Sequence, residues 1–419
     1  MKIEIKNFGK IEEASIKMDG ITVICGNNDS GKSTVGKILF SIFHKSIDID
    51  LEIEEDLLLT LYGIIKNYSK GFLMSPAEEH KFLYEPIVDF IEEINYPNVS
   101  EDKEELFKKM KKYIPLSLEE EITDIENKFF SEIYEKIKIP YNDLLKTFNE
   151  RKFNNIFNSQ INNLYNAKSI ASVDLNVRNR NFNISFKNNK CIDFNLDFNV
   201  ENNIYYIENP FIINGVNKHY ESDIMNDELL YALTSKSSEK KNIFDVYENN
   251  EILEKIKNIF EETHLGDIVT NNNTFYMRYN NDVNMKFETL STGIKSFLII
   301  KILLENTSLK KRDLLVLDEP EIHLHPDWQL KYAEMIVLLQ KYLDLTIIVN
   351  THSYYFMEAI NQYSKKHKIK ENVNFYLSKV SEDNKTSRIE NVTYNLEKIY
   401  NKMYKPMQIL KNLELENNE

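Results

Sequence analysis

Ile21-Thr22-Val23-Ile24-Cys25-Gly26-Asn27-Asn28-Asp29-Ser30-Gly31-Lys32-Ser33-Thr34 is the stretch whose reading decides the fold class. Ile21–Cys25 is an apolar run of strand length, and Val35 to His44 continues as an apolar helix. Between them, Gly26 to Ser33 spell G-x-x-x-x-G-K-[ST] in the context that gives the pattern meaning, a buried strand feeding a loop that opens a helix. Backbone N–H groups along Gly26, Asn27, Asn28, Asp29, Ser30, Gly31, Lys32, Ser33 and Thr34 are then expected to face one anion, helped by the helix N-terminus. Lys32 would reach the β- and γ-phosphates of a nucleotide, and Ser33 would ligand Mg2+. The chain has only 10 Gly among 419 residues, so the two that bracket this loop are no by-product of glycine-rich sequence.

Outward from the loop, residues 1–25 read as strands, with Ile3, Ile5, Ile11, Ala14, Ile16 and Met18 in alternation and Gly9 and Gly20 at turns. Residues 46–166 carry Glu, Lys, Leu and Ile at helical spacing, with breaks at Pro76, Pro86, Pro97, Pro115 and Pro140. They read as a helical insertion in a head made of residues 1–45 and 167–419. Period-2 patterning returns at Phe182, Ile184 and Phe186, turns at Asn188-Asn189, and is answered by Ile192, Phe194, Leu196, Phe198 and Val200. A strand at Ile204–Ile207 follows, stopped by Pro210. A second hairpin joins Phe275, Met277 and Tyr279 through Asn280-Asn281-Asp282 to Val283, Met285 and Phe287. The class is α/β with an antiparallel β subdomain.

Leu314-Leu315-Val316-Leu317-Asp318-Glu319 is an apolar run ending in two acids. A parallel strand buried on both faces would deliver these carboxylates to the sheet's carboxyl edge, where the phosphates lie. Asp318 is then the Mg2+ partner of Ser33, and Glu319 the group that orients and deprotonates the attacking water. A strand ending in a solvated turn is the plainer reading, which the upstream loop disfavours. Thr346-Ile347-Ile348-Val349-Asn350-Thr351-His352-Ser353 repeats the design, and His352 could hydrogen-bond the γ-phosphate, although a lone His at a strand end is often structural. Leu290-Ser291-Thr292-Gly293-Ile294-Lys295-Ser296 precedes another apolar helix. Ser291 and the N–H groups around Gly293 would form a second anion site, suited to closing over another subunit's ATP; an ordinary N-cap at Ser291 or Thr292 is the alternative.

Together these elements resemble the ABC-type ATPase head. The run Leu317-Asp318-Glu319-Pro320-Glu321-Ile322-His323-Leu324-His325-Pro326-Asp327-Trp328-Gln329, followed by Asn350-Thr351-His352-Ser353, resembles the OLD-type ATPases and their relatives in bacterial anti-phage systems. The resemblance covers residues 1–45 and 286–360. It implies a P-loop NTPase head using ATP and Mg2+, and a head-to-tail homodimer. In that dimer ATP is sandwiched between one copy's Lys32 loop and Ser291 and Gly293 of the other, with His325 and Pro326 in the segment crossing the interface. Higher oligomers stay open. Two departures stand out. Thr292 and Ile294 replace a Gly and the Gln of LSGGQ, against a transporter subunit. No clear Q-loop exists either, since only Gln160, within an expected helix, lies between the two anion-binding segments. No Asp-x-Asp pair follows His352, so a built-in TOPRIM nuclease is not expected. The tail, a strand at Phe375-Tyr376-Leu377 and a Tyr394–Tyr400 helix with a core-facing Tyr/Leu stripe, resembles those of Septu and retron-associated ATPases, which work beside a separate nuclease. The expected function is a nucleotide-dependent ATPase regulator or sensor of an anti-phage complex, with a separate effector nuclease as partner.

Composition limits the rest. Net charge is −14, so no global basic footprint for nucleic acid exists. Lys108-Lys109-Met110-Lys111-Lys112 and Lys365-Lys366-His367-Lys368 leave local contacts open, though short charge runs are usually solvated helix faces. Cys25 and Cys191 alone suit a reducing cytosol, and no apolar run is long enough to span a membrane, so a cytoplasmic protein without membrane partner is expected. A RecF- or SMC-like DNA-repair ATPase shares every motif but should bind DNA in a salt-dependent way. A nucleotide-locked scaffold would share them with little turnover.

Overall fold

The computed structural model describes residues 1–44, 49–68, 80–97, 99, 102–113, 123–166, 168–197, 202–217, 224–234, 242–271, 274–279, 283–402 and 409. Contacts divide the chain into two compact units, Met1–His44 with Lys152–Glu419, and Lys45–Arg151.

The first unit is built on β1 (Lys2–Phe8), β2 (Ile11–Lys17), β3 (Ile21–Gly26), β4 (Ala171–Val177), β5 (Arg180–Lys187), β6 (Lys190–Leu196), β7 (Ile204–Ile207), β8 (Asp267–Asn271), β9 (Thr274–Tyr279), β10 (Val283–Lys286), β11 (Leu314–Asp318), β12 (Thr346–Thr351), β13 (Val373–Val380) and β14 (Ser387–Asn391). Eleven of these form one sheet in the order β6-β5-β4-β1-β2-β14-β13-β3-β12-β11-β7. From β13 to β7 all neighbours are parallel. The strands β3, β11 and β7 are buried at every residue, which is why they read as continuous apolar runs. From β6 to β2 all neighbours are antiparallel, and β1 and β2 alternate buried and exposed residues. β14 joins the halves, parallel to β2 and antiparallel to β13. The antiparallel subdomain is therefore continuous with the parallel core.

Three details depart from the sequence pattern. A register shift at Ser185/Phe186 pairs Phe186 with Cys191 while Ile184 still pairs with Phe194. The extra residue of this bulge leaves Ile192 exposed instead of facing inward. The hairpin pairing Met277 with Met285 gains a third strand, β8. The tail strand β13 lies beside β3 in the middle of the sheet, and in the segment after it Ile399 is buried while Tyr394 is almost wholly exposed, so the aromatic stripe is not uniformly core. Phe198, Val200, the Asn280-Asn281-Asp282 turn, Pro76 and Pro115 lie outside the described residues.

In the second unit, helices Ile49–Tyr68, Glu85–Glu93, Lys103–Tyr113 and Thr123–Ile137 bury Phe90, Leu106, Met110, Phe129 and Ile133. Pro86 starts a helix rather than breaking one, since a first-turn N–H has no partner to lose. Phe153 and Phe157, which the helical spacing groups with the insertion, pack on Phe8 in the first unit. Among the described residues no helix is long and apolar enough to cross a membrane.

The helix Lys32–Phe43 approaches the sheet through Gly36, where a Cβ would lie 2.6 Å from Val316 Cγ1 and 2.9 Å from Tyr206 Cε2. Gly36→Ala should therefore destabilise the first unit by about 1–3 kcal/mol, read from the denaturant midpoint. Gly63→Ala, whose Cβ would meet nothing within 4 Å, is the control and should stabilise its helix by ~0.5–1 kcal/mol.

Candidate functional site

The Gly26–Thr34 loop leaves β3 and enters the helix through Gly31, whose φ of 83° lies in the left-handed region. A Cβ there would sit 2.8 Å from Ile11 Cγ1 and 3.2 Å from Ser387 Oγ, so backbone and space both require glycine. No side chain caps this helix, which leaves its first N–H groups for a ligand. The Lys32 ammonium is 3% exposed; it donates to Gly26 O at 3.1 Å and Asn27 O at 2.9 Å and lies 3.5 Å from Glu319 Oε1. Ser30 Oγ is buried with no hydrogen-bond partner among the described residues.

At the end of β11, buried Asp318 accepts from Tyr206 Oη at 2.6 Å and from Asn350 Nδ2 at 2.9 Å. Burial, and then the Asp318 charge, push the Tyr206 phenol well above its ordinary range, which keeps it a donor. Glu319 follows with φ 50°, a left-handed conformation costly for a non-glycine residue, and its N–H donates to Asn350 O at 2.9 Å. That turn aims its carboxylate between Lys32 and His352, whose Nδ1 is 3.5 Å from Glu319 Oε1.

Glu321 is buried behind this edge. Its Oε1 accepts from Thr351 Oγ1 at 2.5 Å and from the N–H groups of His352 at 3.0 Å and Ser353 at 3.2 Å. Burial nevertheless raises its carboxyl above the usual range. Gln329 donates to the carbonyls of Glu321 and Leu324 and accepts from Ser353, tying the turns after β11 and β12 together.

Asn28, Asp29, Ser30, Gly31, Lys32, Ser33, Thr34, Asp318 and Glu319 line one cleft of about 750 Å3. His352 lies beside Glu319 but, like Ser291 and Gly293, is not among the residues that line the cleft. Gly293 instead lets the helix Thr292–Glu305 meet the Trp328 ring, 3.0 Å from where its Cβ would be. Ser291 is that helix's N-cap residue but makes no side-chain cap bond. Gln160 lies past the end of the helix Tyr141–Phe157, because Asn158 and Ser159 have φ of 49° and 57°, and it lines the cleft. Tyr206 and Glu208, a cleft residue just beyond β7, carry no site motif in the sequence, and the roles of Asn350 and Glu321 within their motifs emerge only from the fold. The Tyr205-Tyr206 pair in an apolar strand was the available signal.

A triphosphate fits these residues: a loop of N–H groups too tight for side chains, an orphaned buried hydroxyl and a buried ammonium face one cleft. Among the described residues no cluster of three or more His, Cys, Asp or Glu could hold a metal alone. Ser33 and Asp318, the two residues expected at the metal, match the one or two protein ligands that Mg2+ takes, with phosphate and water completing its shell. Tyr206→Phe keeps the ring on Gly36 but removes the donor to Asp318. The Mg2+ concentration for half-maximal ATP binding should rise about tenfold or more, measured by Mg2+ titration at fixed ATP, and the stability read from the denaturant midpoint should fall by about 1–3 kcal/mol because buried Asp318 loses one of its two donors.

The AAA_21 family, described as "AAA domain, putative AbiEii toxin, Type IV TA system", matches residues 21–358. No curated protein matches the chain. Among solved structures, the SMC head domain from Thermotoga maritima is similar at 13% identity and TM-score 0.39, covering 93% of this chain and 98% of that one. The SmcHead bound to the C-winged helix domain of ScpA is similar at 14% and 0.45, covering 93% and 96%. Stu0660 of Streptococcus thermophilus is similar at 12% and 0.33, covering 96% and 80%. None of the three is alike enough to carry a functional argument. The family match spans most of the chain and contains the loop, the acidic strand end and His352, and the chain belongs to this family of P-loop ATPases.

Proposed function

We propose that the chain binds and hydrolyses ATP as a homodimer and regulates a separate effector nuclease in an anti-phage defence complex. The observation that carries the catalytic part is the meeting of Lys32 and Glu319, 3.5 Å apart, at a strand edge where Asp318 is held by two donors. Lys32 would take the β- and γ-phosphates, and Ser33 and Asp318 would hold Mg2+, which would offset the phosphate charge. Glu319 orients the attacking water and accepts its proton, and His352 hydrogen-bonds the γ-phosphate. Glu208 adds a further carboxylate at the same edge.

Two things support closure over a second copy. Ser291 and Gly293 begin a helix whose N–H groups are uncapped by side chains, and they lie outside the cleft of their own chain. ATP contacts made only in the closed dimer would drive closure, and hydrolysis would remove them. The regulatory part rests on the OLD-like text from Leu317 to Gln329 and on the family description, which places the family with a putative toxin of a Type IV TA system.

Glu319→Gln should retain ATP and accumulate a dimer, seen by light scattering after gel filtration; an ATP-loaded variant that stays monomeric contradicts the sandwich. Ser291→Arg should leave ATP affinity within about threefold of wild type yet reduce turnover at least tenfold, because the added side chain obstructs the second copy's phosphates. Co-expression with the neighbouring open reading frame tests the regulatory part, which fails if no partner co-purifies and phage plating is unchanged by Lys32→Ala.

A further inference from the structure

Residues 160–165, between the helix Tyr141–Phe157 and β4, form one rim of the cleft, and hydrogen bonds hold their backbone at several points. Gly9 N–H donates to Ile161 O at 2.7 Å. Asn162 and Asn189 exchange bonds: Asn189 N–H donates to Asn162 Oδ1 at 2.8 Å, and the N–H groups of Ile161 and Asn162 each donate to Asn189 Oδ1 at 3.0 Å. Asn162 Nδ2 also donates to Ser169 O and Phe186 O, and Asn163 Oδ1 accepts from Tyr165 N–H. At the apex of this fixed frame stand Leu164, 71% exposed, and Tyr165, 65% exposed.

A rigid loop that spends an adjacent leucine and tyrosine on solvent gains nothing from their burial in its own chain. Both side chains line the same cleft as Asn28, Gly31 and Lys32. The cleft thus carries an anion-binding loop and an apolar rim, which matches a ligand with a phosphate tail and a flat aromatic head. We infer that Leu164 and Tyr165 form the base subsite, with the Tyr165 ring stacking on the nucleobase and Leu164 packing beside it. The exposed Gln160 amide on the same rim offers a donor and an acceptor to the base edge. This assignment rests on the nucleotide reading above.

The test compares binding of Mg–ATP and Mg–tripolyphosphate to the full chain by calorimetry, for wild type, Tyr165→Ala, Tyr165→Phe, Leu164→Ala and Lys32→Ala. Tyr165→Ala should weaken ATP about tenfold and Leu164→Ala severalfold, while tripolyphosphate affinity stays constant and Tyr165→Phe binds like wild type. Lys32→Ala should lose both ligands. Tyr165→Ala with wild-type ATP affinity overturns the subsite, as does equal weakening of both ligands. A change confined to self-association also overturns it, in favour of a contact between copies. Wild-type protein that takes up neither ligand sinks the nucleotide reading itself.

Discussion

A carboxylate at the end of a strand buried on both faces is costly unless its oxygens find donors. Asp318 finds one on each flanking strand, the Tyr206 phenol from β7 and the Asn350 amide from β12. Both arrive only if the sheet runs β7-β11-β12 with Val316 opposite Tyr206 and Asp318 opposite Asn350. A one-residue slip would turn Tyr206 to the other face and leave the acid short of a partner. The Tyr206 ring also lies under Gly36 and edge-on to Phe40, so the register that satisfies Asp318 also seats the helix leaving the phosphate loop. The polar requirement at one strand end thus orders the sheet and positions the cradle.

The turns beyond that edge behave as one piece. Glu321 gathers three donors from Thr351, His352 and Ser353, and Gln329 fastens the same turn to the helix Pro326–Leu343. That helix carries Trp328, which touches Gly293 and stands edge-on to Phe297. Buried Lys295 donates to Glu288 O and lies 4.9 Å from the centre of the Phe211 ring, which meets His323 edge-on. Packed side chains therefore run continuously from Glu319 and His352 to the Ser291 segment. Close-packed contacts of this kind transmit displacement because they compress little.

Contiguous features were legible in the sequence. The phosphate loop, the acidic strand end and the Asn188-Asn189 turn each depend on neighbours in the chain, and Asn188 and Asn189 indeed take φ of 52° and 61°. What depends on sheet order was not legible. Nothing in Ile204-Tyr205-Tyr206-Ile207 says that it will lie beside a strand beginning at Leu314, so Tyr206 could not be assigned to Asp318. β13 read as a tail because its pattern carries no record of its partners, although it pairs directly with β3. The helical spacing ran on through Gln160, because two left-handed residues end a helix without changing its apolar period. The Ile192 bulge is a register event between strands, invisible to alternation within either one.

Lys32 shows why these pieces belong to one device. An ammonium at 3% exposure is tolerated only with charged or polar partners, and here they are two loop carbonyls and Glu319. Three donor positions cannot serve those partners and a phosphate chain in full. A triphosphate drawn into the cradle would compete for the same ammonium and loosen its hold on Glu319. That carboxylate is already turned toward the cleft by its left-handed backbone, with His352 on its other side. Charge balance within the loop would thereby link occupation of the cradle to release of Glu319, the residue proposed to activate water.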